Sequence, residues 1–111
     1  VNTALIILQD ALAKQNQALR KRITETDDPD MVQALLNEMT ETSHRLQLVG
    51  ALLFAAQSNE LDAAVDKVKA ATVKVNKSIS TLKDVARMLD TISSFLGLVD
   101  DAIDMAKLLL L

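Results

Sequence analysis

The chain has 111 residues, half of them apolar, with 2% aromatic side chains, no Cys and a formal net charge of −3. The acidic balance speaks against a general polyanion binder, and the lack of Cys excludes disulfides, thiol chemistry and Cys-ligated metal. Two Gly and one Pro cannot punctuate the many turns of an all-β fold, so residues 1–111 read as one all-α domain.

A first helix is predicted from about Thr3 to Thr24. Leu5, Leu8, Leu12, Leu19 and Ile23 share its apolar face, Gln15 interrupts that face, and Arg20, Lys21 and Arg22 suit the negative end of its dipole. The clearest boundary follows at Glu25 to Asp30, where Asp28 can cap and Pro29 fits the first position of a second helix. That helix is predicted to reach about Gln57, with Val32, Leu35, Met39, Thr42, Leu46, Val49, Leu53 and Ala56 in steps of three and four. Ser58 or Asn59 then caps a third helix at Glu60. Both connections are short, so the first three helices are expected to be antiparallel neighbours.

The third helix carries the most regular pattern in the chain. Leu61, Val65, Val68, Thr72, Val75, Ile79, Leu82, Ala86, Leu89, Ser93 and Leu96 alternate in four- and three-residue steps, the signature of burial along a facing helix. From Val85 a second seam runs beside it through Met88, Ile92, Phe95, Val99, Ala102 and Ala106. Two seams imply two packing partners, so Val85, Met88, Ile92, Phe95 and Val99 are the candidate interface to another chain. Gly97 followed by Leu98 suggests a helix end, with Asp100 capping a short fourth helix. The resulting expectation is an antiparallel bundle of three long helices plus a short C-terminal one. Its alternative is a third helix continuous through Gly97, overhanging the others and dimerising.

Chemistry is sparse. Glu41 and His44 have the Glu-x-x-His spacing of di-iron bundles, but the chain has one His and Thr42 and Leu46 turn both residues outward. Thr42, Thr72, Ser93 and Gln15 occupy seam positions, as a small polar pocket or as hydroxyls bonded back to their own helix. Lys67, Lys69, Lys74, Lys77 and Lys83 lie in a stretch with no acid, which fits a solvated face, an acidic partner or an anionic membrane surface better than a nucleic acid. The end of the chain, with Asp100, Asp101 and Asp104 opposite its Leu residues, fits packing on protein, and Leu108 to Leu111 is expected to be docked. No Ser/His/Asp set or phosphate loop is discernible, so no catalytic, metal or cofactor residue is assigned.

These features point to a non-enzymatic interaction or assembly protein, acting through self-association or by offering a groove to a partner helix. A homo-oligomer is expected and nucleic acid is not. A membrane-active toxin or secretion component is the alternative, requiring residues 48–56 and 95–111 to leave the bundle. A metal-dependent oxidoreductase assembled across a dimer around Glu41 and His44 ranks third. No run approaches the ~18 apolar residues of a membrane span, and Val1 to Leu8 lacks the basic start of a signal peptide, so a cytoplasmic location is expected.

Overall fold

The computed structural model describes residues 1–110, and every element in it is helical: α1 (Thr3–Glu25), α2 (Pro29–Ala51), α3 (Asn59–Thr81) and α4 (Val85–Leu108). Each helix starts where a polar side chain can accept from a first-turn amide that has no intrahelical partner. Asn2 accepts from Leu5, Asp28 from Asp30, Ser58 from Leu61, and Asp84 from Ala86 and Arg87. Pro29 sits in the first turn of α2, where its missing N–H costs no helical bond.

α1 packs on α2 and α3, and α4 packs on α2 and α3, so the order around the bundle is α1, α2, α4, α3. Gln15 meets Thr42 and Asn2 meets Leu53, so α1 and α2 run in opposite directions. Arg22, near the end of α1, donates to the carbonyls of Ile79, Ser80 and Leu82 at the end of α3. α1 and α3 are therefore parallel neighbours. Arg45 reaches Asp100, and the Ala56 amide donates to Leu109, which aligns α2 with α4 in the same way. A single apolar cluster with Leu8, Leu12, Leu35, Val49, Val65, Val68, Ile92 and Val99 draws on all four helices.

Three expectations are corrected. α2 and α3 follow one another in sequence but are not packed neighbours: residues 52–58 cross the end of the bundle between them. α2 ends at Ala51 instead of Gln57, because Asn2 takes over the backbone of the next segment. Its amide donates to the Leu53 carbonyl at 2.7 Å, and its Nδ2 donates to those of Ala55 and Ala56 at 3.2 and 3.1 Å. With those carbonyls satisfied from α1, the apolar run can turn across the bundle instead of continuing as helix.

The third correction concerns the long stripe. The helix breaks at Leu82–Asp84, and Gly97 lies in the middle of α4, so four helices of 23, 23, 23 and 24 residues replace three long and one short. Core positions follow the first seam from Leu61 to Ile79 and then transfer to the second, at Met88, Ile92, Phe95 and Val99. Ala86 and Ser93, on the first seam, are exposed. A new seam at Val85 thus marks a new helix rather than a second partner for an old one. At the chain's end Leu109 packs on the core but Leu108 and Leu110 are exposed, and Leu111 lies outside the described residues.

Candidate docking groove

The core stripe of α1 uses Leu5, Leu8 and Leu12, and successive helical residues are turned by about 100°, so Ile6 and Ile7 fall on its flanks. In α3 the core uses Val68 and Val75, which turns Val73 outward. Because α1 and α3 lie side by side, these flanks face one groove of about 700 Å³. Ile6, Ile7, Asp10, Ala11 and Lys14 line it from α1, and Lys69, Thr72, Val73 and Asn76 from α3. Ile6 is 46% exposed, Ile7 38% and Val73 76%.

The polar groups of the groove are unevenly satisfied. Lys14 pairs with Asp10 at 2.9 Å, and the Thr72 hydroxyl donates to the Val68 carbonyl at 2.9 Å. Lys69 is exposed and makes no ion pair among the described residues. Asn76 Oδ1 is buried at the groove without a hydrogen-bond partner among the described residues.

The residues singled out as an interface lie elsewhere. Met88, Ile92, Phe95 and Val99 are buried in the bundle's own core, and Val85 is half-buried against it. The other helices of the same chain pack over that seam. A smaller groove of about 320 Å³ runs between α3 and α4 over Val75 and Phe95, bordered by Lys74 and Asp90.

The polar seam residues do not converge on one pocket. Gln15 and Thr42 are fully buried and meet each other, with Thr42 Oγ1 3.3 Å from Gln15 Oε1. The single proton of that hydroxyl serves either Gln15 Oε1 or the nearer Glu38 carbonyl at 2.8 Å, and Gln15 Nε2 has no partner among the described residues. Thr72 borders the α1–α3 groove, and Ser93 is exposed beside Arg45 and Asp100.

Glu41 and His44 are both exposed; Glu41 accepts from Arg45 at 3.1 Å, and His44 borders a shallow depression on the outside of α2. Among the described residues no group of three or more His, Asp or Glu side chains is placed to hold a metal ion. Arg45 is the centre of an ion-pair cluster that joins α2 to α4, gripping Asp100 of α4 and Glu41 of its own helix. The hydrogen bond to Asp100 holds its guanidinium protonated beyond the usual range, against the opposing effect of burial. Nearby Glu38 titrates above the ordinary glutamate value, because burial disfavours its charge and Glu41 adds repulsion, with Arg45 offsetting part of both.

No protein-family model, characterised protein or solved structure matches the chain. The reading of function therefore rests on the surface itself. The Ile6–Ile7 pair and Val73 are visible in the sequence, but their meeting depends on α1 and α3 being adjacent and parallel, which helix order does not reveal.

Proposed function

We propose that this protein is a non-enzymatic interaction module that docks the apolar face of an amphipathic helix from another protein molecule in its α1–α3 groove. The observation that carries this reading is the exposure of Ile6, Ile7 and Val73 along one concave surface. Each is a β-branched side chain, which helices disfavour slightly, and none contributes to the buried core. A helix laid between two parallel helices covers such residues by ridge-into-groove packing, presenting its own apolar side chains at i, i+3 or i+4 and i+7. A homo-oligomer is the case in which that helix belongs to a second copy.

The membrane-active alternative draws less support. The segments it must release supply Val49, Leu52, Phe95, Leu96, Val99, Ile103 and Ala106 to the core, and their departure would empty it. No helix among the described residues is long and apolar enough to cross a membrane.

The test uses a synthetic amphipathic helix with Leu on one face and uncharged polar residues on the other. Titrated with fluorescence detection, it should bind saturably to the wild-type protein and at least tenfold more weakly to Ile7→Glu and Val73→Glu. Both substitutions fall on partly or largely exposed positions, and circular dichroism checks that the fold survives. Absence of binding, or binding indifferent to both changes, refutes the reading, and sedimentation of the protein alone reports whether a second copy is the occupant.

A further inference from the structure

The four helices divide by charge into two layers. α1 and α3 together carry eight basic and five acidic side chains, a net of +3, whereas α2 and α4 carry three basic and seven acidic ones, a net of −4. The layers are the two pairs of parallel neighbours, so opposite charge lies on opposite sides of the bundle. No ion pair among the described residues joins the layers. The protein as a whole is acidic, yet the side that holds the groove is basic.

We infer that the occupant of the α1–α3 groove is an acidic amphipathic helix, with Asp or Glu flanking its apolar stripe; this rests on the docking reading above and specifies its partner. Lys69 and Lys77 stand one helical turn before and one turn after Val73, both exposed and neither paired among the described residues. On α1, Lys14 and Lys21 follow Ile7 at intervals of seven, which keeps them on the same flank. The acids one turn from those two on α1, Asp10 and Glu25, lie 2.9 Å from Lys14 and 4.0 Å from Lys21. On the α3 flank Lys69 lines the groove and Lys77 lies one turn beyond Val73, while the exposed Asp66, seven residues before Val73, sits past Lys69 and outside the groove lining. A helix seated over Ile7 and Val73 therefore meets two ammonium groups beside Val73, with the one α1 carboxylate in the groove, Asp10, held by Lys14. A basic helix would set its Lys residues against Lys69 and Lys77, and like charges in contact suppress binding. A nucleic acid fits poorly, since no aromatic or Arg side chain lines the groove to stack on or read a base.

Three synthetic helices with the same Leu stripe and flanking Glu, Gln or Lys separate the possibilities. The Glu helix should bind at least tenfold tighter than the Lys helix at low salt, and the gap should close as ionic strength rises. The double charge reversal Lys69→Glu with Lys77→Glu should invert the order while leaving the Gln helix unchanged. Equal binding of all three overturns the acidic-partner inference and leaves the docking reading standing; binding of none overturns both. Stronger binding to phosphatidylserine-containing vesicles than to the Glu helix, abolished by the same reversal, assigns the basic side to a membrane surface and also overturns the inference.

Discussion

Arg45 of α2 holds Asp100 of α4 through two hydrogen bonds, Nε to Oδ1 at 2.7 Å and Nη2 to Oδ2 at 3.0 Å. The planar fork of the guanidinium matches the carboxylate, which fixes the register of two parallel helices as well as their separation. Exposed ion pairs are commonly worth less than ~1 kcal/mol, and Asp100 is about half exposed, but Arg45 is largely covered and doubly bonded. A double-mutant cycle with Arg45→Ala and Asp100→Ala should give a coupling of about 1 kcal/mol in low-salt urea melts. Coupling indistinguishable from zero would show that the pair is only a surface contact.

Glu38, beside this pair, ties stability to pH. Its proton affinity is higher in the fold than in the open chain, so the folded state holds more protons between the two titration points. Stability therefore falls as pH rises through that window, and the cost remains in full above it. Glu38→Gln should stabilise the protein at pH 7 and lose that advantage as the pH drops below the ordinary glutamate range. Its backbone carbonyl, which Thr42 uses, is unaffected by the change. A stability gain that does not shrink with falling pH would locate the effect outside the carboxyl group.

Asn2 is the polar residue on which the loop after α2 depends. It is buried, its Oδ1 caps α1, and its Nδ2 donates to two carbonyls more than fifty positions away. Asn2→Asp keeps the cap acceptor but removes both donors and sets a carboxylate against the carbonyls. It should cost at least as much as Asn2→Ala, about 2 kcal/mol or more, because buried acceptors are then left unpaired. Thermal melts of the two variants give the comparison, and an Asp variant as stable as wild type would contradict this role.

Gln15 presents the reverse case, a buried polar group without full satisfaction. Turning its amide over lets Nε2 donate to Thr42 while Thr42 donates to Glu38, yet Oε1 then becomes the orphan. One side of the amide stays unpaired in either orientation. Gln15→Met, close in volume, should therefore stabilise the protein by about 1 kcal/mol in urea denaturation. A loss instead of a gain would mean that the amide is satisfied by a buried water.

The helices themselves were legible because their signals are local. Asp28 with Pro29, and Ser58 before Asn59 and Glu60, cap helices as their types suggest, and the seam residues from Leu61 to Ile79 are core wherever they are large and apolar. What could not be read is non-local. The connection at Leu82–Asp84 has three residues, so it carries the three-and-four rhythm across a break and makes two helices look like one. Asn2 gives no sign in sequence that it will meet Ala55 and Ala56. The groove needed more still, since Ile7 and Val73 belong to helices that only the diagonal crossing of residues 52–58 makes neighbours.

Gly97 tests the position of that break directly. If α4 ended there, Gly97 would supply a left-handed cap, and any side chain would be strained. In the fold it sits in the interior of α4, is exposed, has ordinary negative φ, and a Cβ built on it meets no atom within 4 Å. Gly97→Ala should accordingly stabilise the protein by up to about 1 kcal/mol, by lowering the entropy of the unfolded chain and favouring the helix. Placing Ala at Asp84 should do the opposite, costing about 1 kcal/mol through loss of the cap on Ala86 and Arg87. Opposite signs in matched urea melts place the helix start at Asp84, whereas a destabilising Gly97→Ala with a neutral Asp84→Ala would return the break to Gly97.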